Sequence, residues 1–160
     1  MNNREICLQE AFDVIEEILA GGGEFRMYPR GKSMLPLIVQ DRDSVVLRRN
    51  KDSTAKKHDI VFYRRKSGQF VLHRVMKIEK DGSYTMCGDN QTVLEKGIGK
   101  EQIIGYVSRL YKGKKERNIR SLSYRLYIFF YCFMPFRKAI RFPKRAMMAV
   151  YRRVLKKNKA

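Results

Sequence analysis

The sequence predicts a mainly β domain, folded as a curled antiparallel sheet or small barrel, between an N-terminal amphipathic helix and a basic helical tail. The first observation is a series of short β-type runs from Glu24 to about Leu110, separated by turn residues and without intervening helices. The second is the charge: residues 111–160 hold 16 Lys and Arg against one acid, or +15 of the net +19, which leaves +4 for residues 1–110. We therefore expect a helix within 1–23, a near-neutral domain over 24–112 and a basic tail over 113–160.

The N-terminal segment has the periodicity of an amphipathic helix. Leu8, Phe12, Ile15 and Leu19 recur at helical spacing from about residue 5 to residue 20, and the glycines at 21–23 end the pattern. Acidic residues interrupt the apolar positions, so the segment predicts neither a signal peptide nor a membrane span. We expect this helix to pack on the domain and to carry no chemistry.

Six runs in the central region are predicted to be strands. Val, Ile, Tyr and Phe are frequent in them, and the turns between them contain Gly, Asp, Asn or Ser. The predicted strands are Glu24–Tyr28, Ser44–Arg48, Asp59–Tyr63, Gln69–Ile78, Tyr84–Cys87 and Ile103–Tyr111.

The tail contains an uncharged, aromatic-rich run of eleven residues, Leu126 to Phe136, with Arg125 before it and Arg137 after it. A transmembrane helix needs about 20 apolar residues, so this run is too short to cross a bilayer alone. Cationic flanks favour peripheral binding of 113–160 to an anionic membrane surface, on the cytoplasmic face since no export signal is visible. Residues 137–160 are expected to form a second basic amphipathic helix, interrupted at Pro143. Two alternatives remain: a helix docked on the domain and, less favoured, a nucleic-acid contact surface.

Few residues are suited to carry chemistry. Cys7, Cys87 and Cys132 are far apart and lack a CxxC pairing, so neither a disulfide framework nor a zinc site is predicted, and no metal or cofactor is expected. The chain has two histidines. His58 lies at a loop-to-strand entry, where we expect it to be solvated, and His73 lies inside a predicted strand.

A serine and a histidine could form a catalytic pair. A serine hydroxyl needs a neighbouring base to attack a carbonyl, and imidazole can accept that proton and return it to the leaving amine. A carboxylate on the other ring nitrogen would fix the imidazole tautomer. Ser33, His73 and either Asp89 or Glu95 supply these parts, although their spacing alone does not show that they meet.

Four blocks in order resemble the signal peptidase family, in its archaeal and endoplasmic-reticulum branch. The blocks are GKSMLPLI, HDIVFYR, VLHRVMKI and CGDNQ, and the match spans about Gly31 to Tyr111, half of the chain. That branch carries G-x-S-M-x-P around a nucleophilic serine, G-D-I-V, an H-R-V block with the base histidine, and a G-D-N block.

The resemblance implies a role for each matching residue. Ser33 would be the nucleophile, with its backbone N–H as an oxyanion donor, and His73 would be the general base. Bacterial signal peptidases and the self-cleaving repressors of the LexA type use lysine at the position of His73. Met34 and Pro36 would shape the turn and the substrate groove, or else pack in the core.

The supporting acid stays open at this point. Asp89 matches the G-D-N block directly. Glu95 stands where the branch has further acids, about six residues beyond that aspartate.

Three departures from the family pattern affect what the resemblance implies. His58 replaces the usual glycine before Asp59, no hydrophobic anchor precedes Ser33, and the block after Asn90 lacks the fuller acidic pattern. The sequence therefore indicates a relative of signal peptidases without their membrane anchor.

The function implied is a serine endopeptidase that cleaves an extended peptide, bound as an added strand, after small side chains. Such an enzyme could mature a peptide before or during its export. The alternatives are a self-cleaving regulator of the LexA type and a non-enzymatic basic module that binds membranes or nucleic acid.

Overall fold

A single antiparallel sheet of eight strands and two helices make up the regular structure of the described residues. The computed structural model describes residues 12–49, 54–119, 121–132, 135 and 137. The elements are α1 (Phe12–Ala20), β1 (Phe25–Met27), β2 (Ser44–Arg48), β3 (Ile60–Arg64), β4 (Phe70–Ile78), β5 (Tyr84–Cys87), β6 (Glu95–Ile98), β7 (Ile103–Lys112), β8 (Lys115–Arg117) and α2 (Leu122–Cys132), with a 3-10 turn at Lys100–Gln102.

The sheet is open and not a closed barrel. Its strand order is β1-β2-β7-β3-β4-β5-β6, with β8 paired to β7, and every pair is antiparallel. The prediction of an antiparallel sheet is confirmed, whereas the small barrel is wrong for the described part of the chain. The end strands have only three and four residues, and neither β1 nor β6 pairs with the other.

Alternation along β3 divides the buried side chains into two clusters. Ile60 and Phe62 belong to the cluster that also contains α1 side chains, whereas Val61 and Tyr63 belong to the second one. Successive strand residues point to opposite faces, so this division follows from the pleat. Because Val61 pairs with His73 in the β3–β4 register, the His73 side chain lies on the Tyr63 face of the sheet.

The first helix ends where the glycines predicted it would. Ile15 and Leu19 of α1 are each only 1% exposed and join the first cluster. The amides of Gly21 and Gly23 donate to the carbonyls of Glu17 and Ile18, which closes the last turn. The predicted start near residue 5 lies outside the described residues.

The beginning of the tail is docked on the domain. Tyr124 of α2 is 6% exposed within the first cluster, and Tyr127 and Ile128 pack against it. The sheet itself extends past Lys112, because β8 pairs with β7. Of the two described helices, neither is long and apolar enough to cross a membrane. The predicted second tail helix around Pro143 lies outside the described residues.

Candidate active site

The segment that carries Ser33 is a series of turns between β1 and β2, held by buried contacts. Met34 is 4% exposed, and its carbonyl accepts a 2.9 Å hydrogen bond from the Ile38 amide. Asp43, at the end of the segment, is fully buried and accepts hydrogen bonds from the Val39 amide at 2.8 Å and from Lys112 Nζ at 3.0 Å. Burial opposes the charge of Asp43, but these donors and Arg42 outweigh burial and lower its pKa well below the ordinary value. The segment is therefore tied to the end of β7.

Ser33 and His73 line the same cleft, which has a volume of about 220 Å³. Gly88 lies between them: a Cβ at this position would stand 2.6 Å from the Ser33 carbonyl oxygen and 3.1 Å from His73 Nε2. The next turn holds the Ser33 segment directly, because the Asn90 amide donates to the Ser33 carbonyl at 2.7 Å. Only a glycine fits between Ser33 and His73 without moving one of them.

The buried His73 ring is oriented by the Tyr63 hydroxyl. His73 is 3% exposed, and its Nδ1 lies 3.2 Å from Tyr63 Oη. Tyr63 donates its one hydroxyl hydrogen to Glu95 Oε2 at 2.8 Å, so toward His73 it acts as an acceptor. The imidazole proton therefore lies on Nδ1, and the lone pair of Nε2 points toward the side of the ring where Gly88 and Ser33 lie.

Burial keeps this ring neutral near pH 7. Burial lowers the pKa of His73 to about 4, and the negative charge of Glu95 offsets only part of that effect. Burial, together with the hydrogen bond to Glu95, raises the pKa of Tyr63, so its hydroxyl stays protonated. Arg65 donates to both oxygens of Glu95, at 2.7 and 2.5 Å, and this lowers the pKa of that carboxyl. Neutral His73 is thus connected through Tyr63 to a charged Glu95.

The two candidate acids lie in different environments. Glu95 Oε2 is 4.0 Å from His73 Nδ1, with the Tyr63 hydroxyl bonded to both groups. Asp89 is 1% exposed and binds Arg74 through both oxygens, at 2.8 and 2.7 Å. Burial alone would lower the pKa of Arg74, but Asp89 raises it well above the ordinary value, so the pair is charged. The structure therefore brings Glu95 to the His73 ring and engages Asp89 with Arg74.

Of the other residues named from the sequence, Met34 lines the cleft, whereas His58 lies elsewhere. Met34 lines the cleft and packs in the core, whereas Pro36 is exposed, so the core alternative is wrong for Pro36. His58 has a φ of +77° and lines a separate cavity of about 290 Å³ under α2, with Tyr124 and Ile128. Burial, then the charge of Lys57, lowers the pKa of His58.

Sequence reasoning missed Tyr63, Arg65 and Arg74 as parts of the site. The register of the β3–β4 hairpin, which pairs Tyr63 with Val71 and Val61 with His73, places the phenol on the His73 face. The turn at 66–68 and the alternation of the strands are visible in the sequence. Together they would have predicted that Tyr63 lies close to His73.

The arrangement provides a hydroxyl, a neutral imidazole and a carboxylate connected to that imidazole, which suits acyl transfer by a serine nucleophile. Within the described ranges, no group of three or more His, Cys, Asp or Glu side chains is placed to hold a metal ion. Comparisons with protein-family models, with curated proteins and with solved structures found no match for this chain.

Proposed function

We propose that the chain is a serine endopeptidase of the signal-peptidase type, with Ser33 as the nucleophile and His73 as the general base. One observation supports the proposal most: Ser33 and His73 line one cleft, and the hydrogen bond at Nδ1 leaves Nε2 as the basic nitrogen. A catalytic base must present its lone pair toward the proton that it removes. The resemblance of the four sequence blocks to that family supports the same assignment.

The reaction proceeds through an acyl-enzyme. Ser33 Oγ bonds to the carbonyl carbon of the scissile peptide while its proton passes to His73 Nε2, and the carbonyl electron pair moves onto oxygen, where the Ser33 backbone N–H stabilises it. The imidazolium then donates the proton to the leaving amine as the C–N bond breaks. A water molecule, whose proton passes to His73 Nε2, then bonds to the acyl carbon, and the imidazolium returns the proton to Ser33 Oγ as the C–Oγ bond breaks. Tyr63 and Glu95 hold the ring and stabilise its transient charge.

An open edge of β4 suits an extended substrate. Two main-chain hydrogen bonds show which groups of β4 face β3. The Arg65 amide donates to the Gln69 carbonyl, and the Val75 amide donates to the Asp59 carbonyl. The amides and carbonyls of the odd-numbered residues of β4 therefore face β3. Even-numbered residues therefore point to the opposite edge. Along that edge the first residue of β4 that pairs with β5 is Arg74. No described strand pairs with Phe70 or Leu72 on this edge.

A peptide paired with this edge would lead directly into the cleft, because Phe70 and Leu72 both line it. Met34 and Ile38 line the cleft as well and give it an apolar wall, and the resemblance to signal peptidases implies small side chains before the scissile bond. The substrate class proposed is an extended peptide or leader segment with small residues at those positions.

The tail is proposed to hold the enzyme at an anionic membrane surface, on the cytoplasmic face. The net charge of +15 over residues 111–160 supports electrostatic attraction to acidic headgroups. A peptide that is matured before or during export would meet the enzyme there.

Cleavage of a peptide library by the purified protein, followed by mass spectrometry, tests the proposal. Ser33→Ala and His73→Ala should each abolish cleavage while the folded state persists, as judged by circular dichroism and thermal unfolding. His58→Ala is the matched control, since His58 lines a different cavity, and it should retain cleavage. Persistent cleavage by the Ser33→Ala protein would reject the assignment.

A further inference from the structure

The second helix is apolar on both of its sides. Leu122, Leu126 and Phe129 follow one another at intervals of four and three residues and are 70%, 50% and 70% exposed. We call these three residues the outer face of α2. A helix with apolar side chains all round is normally covered on both sides, so this face is suited to an apolar environment.

The inner side of α2 contacts the buried ion pair behind the active site. Tyr127 donates its hydroxyl hydrogen to Asp89 Oδ2 at 2.8 Å. Arg74 donates to the Tyr124 hydroxyl at 3.3 Å and to both oxygens of Asp89. Arg74 and Asp89 are both fully buried, so their geometry depends on these few partners.

The loop of residues 88–91 connects this ion pair to the nucleophile. The Asn90 amide donates to the Ser33 carbonyl, and Asn90 Nδ2 donates to the Lys32 carbonyl at 2.9 Å. Beyond α2, Arg137 Nη1 donates to the carbonyls of Gly88 and Gln91, both at 2.9 Å. Residues of the tail therefore hold both ends of the loop that positions Ser33.

We propose that the outer face of α2 binds an anionic lipid surface, and that this binding holds the 88–91 loop and Ser33 in the reactive arrangement. The inference rests on the proposed function and adds a means of confining activity to the membrane. The excess of cations over residues 111–160 complements acidic headgroups, and the exposed Leu and Phe side chains suit the acyl-chain boundary. Leu122 and Leu126 can neither bind phosphates nor stack on bases, which favours the lipid surface over nucleic acid.

Two measurements test the proposal without requiring cleavage. The full chain is mixed with vesicles of phosphatidylcholine plus phosphatidylglycerol, or of phosphatidylcholine alone, and binding is followed by co-sedimentation. Hydrogen exchange of the Asn90 amide then reports whether the bond to Ser33 is held. We expect binding only to the anionic vesicles, with exchange at Asn90 about tenfold slower in the bound state.

Three variants separate the steps. Leu126→Ser combined with Phe129→Ser should abolish vesicle binding. Tyr127→Phe should bind normally but lose the protection at Asn90, because its bond to Asp89 is absent. Val14→Ser is the matched control, since Val14 is a 57% exposed apolar residue of the other helix, and it should change neither result.

Failure to bind anionic vesicles, or preference for nucleic acid with a steep loss of affinity in salt, would overturn the lipid surface as the partner. Vesicle binding without a change in Asn90 exchange would overturn the coupling. Binding and protection in a protein that cleaves no peptide would support this inference while rejecting the proposed peptidase function.

Discussion

His73 lies at one end of a hydrogen-bonded series of side chains that continues through Tyr63 and Glu95 to Arg65. A buried N–H without an acceptor costs about 1–3 kcal/mol, so the Tyr63 oxygen fixes one orientation and one tautomer of the ring. Burial opposes the imidazolium that the proposed mechanism requires, and the negative charge of Glu95 reduces that cost.

The choice between Asp89 and Glu95 could not be made from the sequence, and the pleat of β4 explains why. His73 and Arg74 are adjacent, so their side chains point to opposite faces of the strand. Each face of the strand has its own acid. Glu95 lies near His73 on one face, and Asp89 forms an ion pair with Arg74 on the other. The G-D-N block marks the acid that matches the family, but not the face on which that acid lies.

The two acids should respond differently to neutralisation. Glu95→Gln and Tyr63→Phe should each lower the rate of peptide cleavage about ten- to a hundredfold, with kcat reduced and KM nearly unchanged, because they weaken the hold on His73. Asp89→Asn should instead lower the free energy of unfolding by about 3–5 kcal/mol, because it leaves the Arg74 charge buried without its partner. Kinetics and denaturant unfolding measure the two effects.

Tyr106→Phe is the matched control for the phenol, since Tyr106 packs against the same apolar cluster as Tyr63. It should leave the cleavage rate within about twofold of the original, as expected of a change with no catalytic partner. An unchanged rate in both Tyr63→Phe and Glu95→Gln would contradict the connection between Glu95 and His73.

At the scale of elements, the loop that follows β5 decides how close Ser33 comes to His73. A Cβ at Gly88 would crowd both the Ser33 carbonyl and His73 Nε2. The same loop supplies the Asn90 amide that holds Ser33. The sequence Gly88-Asp89-Asn90 is typical of a hairpin turn. The structure adds a second reason for Gly88, because a side chain at this position would clash with its neighbours.

A single methyl group at this position should separate Ser33 from His73. Gly88→Ala places a Cβ 2.6 Å from a backbone oxygen, so the Ser33 segment must move away. We expect nearly complete loss of peptide cleavage and a destabilisation of about 1–3 kcal/mol. Gly21→Ala, whose Cβ would meet its nearest atom at an ordinary 3.4 Å, is the control and should retain activity. Full activity of Gly88→Ala would show that Gly88 does not set the Ser33–His73 spacing.

The strands were predictable to different degrees for physical reasons. β2 and β5 have the predicted bounds, because each is a buried run of β-favouring residues. β6 and β8, with the sequences EKGI and KER, were missed because they are short and carry charged residues. Their strand geometry comes from pairing with β5 and β7, which local sequence does not encode.

At the scale of the whole molecule, the fold class followed from alternating strands, but closure did not. Whether a sheet closes depends on the pairing of its end strands, and β1 and β6 are too short to indicate a partner by pattern. The docking of α2 was one of the alternatives that the sequence left open. Its apolar residues lie all round the helix, so periodicity could not show that Tyr124 and Tyr127 face the domain while Leu126 and Phe129 are exposed.

The charge distribution was fully readable from the sequence, since a tail of +15 behind a domain of +4 needs no structure. What the structure adds is the position of α2 against the Arg74–Asp89 ion pair, which adjoins the 88–91 loop. The first part of the tail therefore supports the β domain, in addition to its proposed role as a membrane contact.

The measurement that tests the central claim most directly is the rate at which a fluorophosphonate probe labels Ser33, followed from acid to neutral pH. Labelling requires neutral His73, so the rate should rise with an apparent pKa of about 4, well below the ordinary 6.5, and then stay constant toward neutrality. Peptide mapping should place the label on Ser33, and His73→Ala should abolish it. Labelling of another residue, or an equal rate in His73→Ala, would contradict the Ser33–His73 pair.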